Sequence, residues 1–132
     1  MSTPSVHVLI AEDEALIAGL IEATLDDEGW GTTVVHSGEG ALKALRGSAF
    51  DILITDIRMG APPDGWAVAH AARASNPGIG VIYITGDSMD AWRANGVPGS
   101  VVLAKPFEPA QIVAAVAAHL NRRGSQSGIL SG

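Results

Sequence analysis

Two patterns of apolar residues alternate along this chain. The first is a short, nearly unbroken run rich in Val, Ile and Thr. Such runs occupy residues 6–11, 32–36, 52–55, 79–84 and 101–104. A run of this length without polar interruption predicts a strand buried on both faces, as in a parallel sheet beneath helices. The second pattern has apolar residues three and four apart. Leu16 and Leu20 form one such stripe, and Ile17, Ile21 and Leu25 the next, which predicts a helix over 14–28 stopped by Gly29. Ala41, Leu42, Ala44 and Leu45 predict a second helix that ends at Gly47. The breaker cluster GAPPDG at 60–65 leads into a third helix over 65–74, with Asp64 as its N-cap. A short, weak fourth helix is predicted over 87–95. A fifth runs over 108–120, with Ile112, Val113, Val116, Ala117 and Leu120 facing inward. Residues 122–132 (RRGSQSGILSG, from Arg122) are polar and rich in Gly and Ser, and are expected to form a flexible tail.

Strand then helix, five times over, predicts an α/β fold: a doubly wound five-stranded parallel sheet with right-handed crossovers and five helices on its two faces. One domain over residues 1–121 accommodates it. Hydrophobic residues make up 47% of the 132 positions, enough for a core. The formal net charge of −6 disfavours a nucleic-acid surface and an anionic membrane surface. With no cysteine, thiolate chemistry and disulfides are excluded. No apolar stretch approaches the roughly 18 residues of a membrane span. The N-terminus has no signal-like pattern, so a cytoplasmic location is expected.

The chemistry lies where the strand runs end. The first runs into Glu12 and Asp13, the third into Asp56, the fourth into Thr85 and the fifth into Lys105. In open α/β sheets ligands bind outside the carboxyl ends of the strands, so these groups are expected to share one edge. Each alone has an ordinary reading. An acidic pair suits a helix N-terminus, Asp56 a turn, Thr85 a strand end and Lys105 a solvated surface. Four coincidences at four strand ends are a poorer explanation than one site. Three carboxylates brought together destabilise one another unless a cation intervenes. All-oxygen ligation suits Mg²⁺, which bridges readily to phosphate, and Lys105 supplies a second positive charge. An aspartate in such a pocket is a candidate nucleophile toward phosphorus.

On these residues the chain resembles the receiver domain of bacterial two-component response regulators, from about residue 5 to 121. The matching pieces are Glu12-Asp13, Asp56, Thr85-Gly86 and Lys105-Pro106-Phe107, in that order. The resemblance implies a flavodoxin-like strand order of 2-1-3-4-5. It implies Asp56 as phosphoacceptor, with Lys105 on a phosphoryl oxygen and Thr85 hydrogen-bonded to the phosphoryl group. Mg²⁺ would be held by Asp13, Asp56 and the backbone carbonyl of Arg58, with Glu12 acting through water. The Lys105-Pro106 bond would be cis. The donor would be a sensor histidine kinase or a phosphotransfer protein. Output would pass to a downstream protein through the face of helix 4, strand 5 and helix 5, where Met89, Trp92 and Ile112 are candidates. The domain would assist its own phosphorylation and dephosphorylation without being an enzyme on other substrates, as a monomer or weak dimer.

The chain departs from the family pattern in three ways. Val102 stands three before the lysine, where an aromatic is common, and Tyr83 is a candidate substitute. The loop from Met59 to Gly65 is one residue longer than usual. No output domain follows residue 121, which implies a stand-alone regulator that acts by binding or by passing the phosphoryl group on. These departures motivate an alternative: a protein-binding module of the same fold that phosphate does not switch. An aspartyl-phosphate hydrolase is disfavoured, because those enzymes carry a second aspartate where Arg58 stands. The histidines at 7, 36, 70 and 119 have no metal-binding spacing.

Overall fold

The five apolar runs pair side by side as parallel strands. In this computed structural model, residues 5–86 and 89–131 are described, with side chains to Arg123. The strands are β1 (His7–Ala11), β2 (Gly31–Val35), β3 (Ile52–Asp56), β4 (Gly80–Thr85) and β5 (Val101–Ala104). The helices are α1 (Ala15–Asp27), α2 (Gly38–Gly47), α3 (Gly65–Ser75), α4 (Asp90–Asn95) and α5 (Pro109–Ser131). The sheet order is β2-β1-β3-β4-β5, the order the resemblance implies.

Because a strand's side chains alternate, each central strand feeds two cores. Leu9, Leu53, Val81 and Tyr83 pack with Ala41, Val68, Ala69 and Ala72, beneath α2 and α3. Val8, Ile10, Ile52, Ile54, Ile82 and Ile84 pack with Ile21, Leu25, Ile112 and Val116, beneath α1 and α5. β3 is buried along its whole length. Each such Leu or Ile contributes roughly 1.5–3 kcal/mol on burial.

Local signals set the helix ends. Gly29 follows α1 with φ of +82°, a conformation that glycine adopts without penalty. The side chain of Ser37 caps α2 by accepting from Gly40 N at 2.9 Å, and Asp64 caps α3 by accepting from Ala67 N at 3.0 Å. The loop before Asp64 contains a cis Pro62-Pro63 bond, and Gly60 has φ of +82°. Gly65 N donates to Ile57 O at 2.7 Å, which draws the start of α3 onto the end of β3. A Cβ at Gly65 would overlap the Asp56 carbonyl oxygen.

α5 continues in helical backbone to Ser131. Other expectations are corrected. α4 begins at Asp90; residues 87 and 88 lie outside the described residues. Of the two stripes on α1, only that of Ile21 and Leu25 reaches the core, while Leu16 is 91% and Leu20 43% exposed. Ile112 is buried, so it is not a surface contact candidate. The indole of Trp92 is tied inward, donating to Ser100 Oγ at 2.9 Å, and Met89 is 40% exposed. Val102 and Trp92 pack against the core that holds Tyr83. The Tyr83 hydroxyl accepts from Val97 N at 3.2 Å, and its ring lies 4.7 Å from that of Trp66. No described helix is long and apolar enough to cross a membrane.

Candidate functional site

Strand register brings the predicted groups together. Ala11, Thr55, Tyr83 and Val102 lie in one row across β1, β3, β4 and β5. Glu12 and Asp56 stand one residue beyond that row, Thr85 two beyond and Lys105 three beyond. Buried strands thus deliver polar side chains to one edge, where the core ends. The backbone continues to hold them: Glu12 N donates to Val35 O at 3.1 Å, and Lys105 N donates to Thr85 O at 2.8 Å. The Lys105-Pro106 bond is cis, as the resemblance implies.

Asp56 is 7% exposed. Its Oδ1 accepts from Ile57 N at 2.7 Å, and its Oδ2 accepts from Lys105 Nζ at 3.0 Å. Thr55 Oγ1 donates to the Asp56 carbonyl at 2.7 Å and fixes the main chain there. Carboxylate oxygens of Glu12, Asp13 and Asp56 lie within 4.8 Å of one another. Asp13 faces solvent, and Glu12 is wholly buried. Glu12 Oε2 accepts from Glu14 N at 3.0 Å. Its Oε1 is buried and, among the described residues, accepts no hydrogen bond, although it forms an ion pair with Lys105 Nζ at 3.1 Å. The imidazole Nδ1 of His36 lies 3.0 Å from the Glu12 carbonyl, a contact that links β2 to the site.

Burial pushes the Glu12 carboxyl up from 4.5 to about 7. The Glu14 backbone N–H opposes that shift, the charge of Asp56 adds to it, and Lys105 draws it down. Burial alone would lower the Lys105 pKa, but the hydrogen bond to Asp56 and the charges of Asp56 and Glu12 outweigh it and hold the ammonium protonated. A further positive charge is what this cluster lacks. An orphaned buried carboxylate oxygen beside two more carboxylates fits a hard, oxygen-binding divalent cation.

Thr85 (3% exposed), Arg58 and Lys105 line one cleft of about 270 Å³ with Asp56, Ile57, Gly86 and Glu14. All the predicted positions therefore meet at one edge: the acidic trio side by side, and Asp56, Arg58, Thr85 and Lys105 around the cleft. Glu14 is the residue that the sequence reading missed. In the sequence it presents only as the start of α1, yet its Oε1 lies 3.2 Å from Lys105 Nζ. The one available signal was a third acidic residue in the run Glu12-Asp13-Glu14. Gly65 likewise has the sequence pattern of ordinary helix, because its close approach to Asp56 leaves no trace in local sequence.

Comparison with known proteins agrees with this geometry. A family model described as the response regulator receiver domain matches residues 8–117. The probable transcriptional regulatory protein TcrX of Mycobacterium tuberculosis is 32% identical over 123 residues, covering 90% of this chain and 51% of that protein. The DNA-binding response regulator MtrA of the same species is 28% identical, covering 96% and 55%. The chain spans about half the length of these curated relatives. A response regulator receiver protein from Sinorhizobium medicae has a crystal structure with 45% identity and a TM-score of 0.88, over 92% of this chain and 99% of that one. The receiver domain of the Francisella response regulator 1452 is 27% identical with a TM-score of 0.80, over 90% of this chain and 99% of that one.

Proposed function

Since this chain belongs to the response regulator receiver family, we propose that Asp56 is its phosphoacceptor, in a Mg²⁺-dependent transfer from a phosphohistidine on a sensor histidine kinase or phosphotransfer protein. The observation that carries this reading is the contact of Lys105 Nζ with Asp56 Oδ2 at 3.0 Å, across 49 residues of sequence, in a cleft shared with Thr85. A carboxylate oxygen of Asp56 attacks phosphorus, the donor's P–N bond breaks, and the imidazole leaves with its electron pair. Lys105 takes a phosphoryl oxygen as charge moves toward Asp56, and the Thr85 hydroxyl donates to another. Asp13, Asp56 and the Arg58 carbonyl would hold Mg²⁺, with Glu12 behind them. When bound, the ion neutralises the carboxylates and the phosphoryl oxygens. The ammonium beside Asp56 and the orphaned Glu12 oxygen support these roles.

The domain spans residues 1–121 on this reading. It acts in the cytoplasm, as a monomer or weak dimer, and signals by binding a protein or by passing the phosphoryl group onward. Phosphorylation draws Thr85 inward and shifts the α4–β5–α5 face. The Val97–Tyr83 hydrogen bond is the contact through which the region around Val102 would follow, in place of a late aromatic. With Mg²⁺ and acetyl phosphate, intact mass should show a phosphoadduct on wild type and none on Asp56→Asn. No adduct on wild type, or an equal one on the variant, overturns the proposal.

A further inference from the structure

Lys105 is surrounded before any phosphoryl group arrives. Its ammonium lies 3.1 Å from Glu12, 3.2 Å from Glu14 and 3.0 Å from Asp56. The ammonium donates to Glu14 and Asp56 and faces Glu12 on its remaining side, so a phosphoryl oxygen that approaches it competes with these carboxylates. Glu12 is wholly buried and pinned through Glu14 N, and Asp56 is 7% exposed and pinned through Ile57 N. The Glu14 side chain is 61% exposed, and among the described residues its link to Lys105 is the contact that draws it into the cleft. It also stands at the N-cap of α1, a position where short Ser, Thr, Asp or Asn side chains accept from the first turn. Its side chain makes no such capping bond. Helix capping therefore does not account for its orientation; the ammonium does.

We infer that Glu14 is a placeholder for the incoming phosphoryl group and, by its charge at the mouth of the cleft, a specificity-determining residue that slows small anionic phosphodonors. The inference rests on the reading of Asp56 given above. Glu14 competes with a phosphorus-bound oxygen for Lys105, and while it stays in place it repels any anion that enters. Both effects grow with the donor's negative charge. A protein donor that covers the cleft can supply contacts of its own to offset the repulsion; a free acyl phosphate has none to supply. Arg58 lines the same cleft, so the effect of Glu14 is read as a difference with Arg58 unchanged.

The test is the rate of phosphoadduct formation in Mg²⁺, followed by intact mass, for wild type, Glu14→Gln and Glu14→Asp. The donors are acetyl phosphate and the less negatively charged phosphoramidate. In each case an Asp56 oxygen–phosphorus bond forms. The bond to acetate breaks in the first, with acetate taking the electron pair. The bond to nitrogen breaks in the second, releasing ammonia. Glu14→Gln keeps size and hydrogen-bonding capacity and removes the charge. It should speed transfer from acetyl phosphate on the order of three- to tenfold. The gain from phosphoramidate should be smaller, and added salt should shrink both. Glu14→Asp should stay nearer to wild type. Equal gains with the two donors, or a Glu14→Gln rate within twofold of wild type for acetyl phosphate, overturns the inference while leaving Asp56 as acceptor. A wild type that takes no phosphoryl group overturns the Asp56 reading, and this one with it.

Discussion

At the amino ends of the strands, Asp51 accepts from His7 N at 2.9 Å and pairs with Arg123 at 3.2 Å. At the carboxyl ends, three carboxylates press on the Lys105 ammonium, and Asp13 adds a fourth beside them. The two ends belong to one sheet, with the same buried strands between them. One end uses its carboxylate to tie strand to helix and serves the fold. The other holds acidic excess, and like charges so close persist only because the core and the backbone hold them there. The larger cavity, about 540 Å³ between the ends of α2 and α3, lies at the amino side, away from this chemistry. Cavity size therefore does not mark the site; unbalanced charge does.

Removing the one ammonium should break that contrast most strongly. Lys105→Ala is expected to slow transfer to Asp56 by roughly 10²–10³-fold, the usual cost of losing a positioned charge on a developing oxyanion. Intact-mass time courses with acetyl phosphate and Mg²⁺ check it. A rate within a few-fold of wild type would mean that the lysine is merely structural.

The amino end should answer in stability alone. A Cβ on Gly80 would stand 2.8 Å from the His119 ring. Gly80→Ala is expected to cost about 1–3 kcal/mol in denaturant unfolding, through overpacking, with little change in phosphorylation rate of the folded protein. A neutral effect on unfolding, or a large loss of rate, would contradict the separation of the two ends.

The smallest effect is also the most diagnostic, because the ends should respond to pH with opposite sign. Glu12 has its folded pKa raised from 4.5 to about 7. In metal-free protein its contribution to stability is therefore full below about 4.5 and is lost as pH rises through about 7. His119 has its folded pKa lowered from 6.5, first by burial and then by Arg123, Arg122 and Arg73, with Asp51 opposing. Its contribution is present above 6.5 and is lost as pH falls. Thermal melts from pH 4.5 to 8 in EDTA should show the Glu12→Gln variant losing the decline between about 4.5 and about 7. Saturating Mg²⁺ should remove the same decline from wild type and leave the opposing His119 contribution unchanged. Identical profiles with and without Mg²⁺ would contradict the account.

Much of this was legible in sequence because buried parallel strands write themselves as apolar runs, and the residue that ends each run falls at the sheet edge. That placed Glu12, Asp13, Asp56, Thr85 and Lys105 together before any coordinate. Side-chain direction was not legible. Leu16 and Ile17 both belong to helical apolar stripes, and only packing against β1 and α5 decides which one faces inward. Glu14 reads as a helix start because nothing local reveals a lysine 91 positions away. The segment after Leu120 reads as a tail because Gly and Ser are weak helix formers, yet its backbone extends α5.

The central claim, that the acidic excess at the carboxyl end exists to carry a phosphoryl group on Asp56, meets its most direct test in borohydride trapping. An acyl phosphate on aspartate is reduced to homoserine, which peptide mass mapping locates. After Mg²⁺ and acetyl phosphate, the account predicts homoserine in place of Asp56 and at no other acidic position. Homoserine at Asp13 instead, or no reduced residue at all, would contradict it.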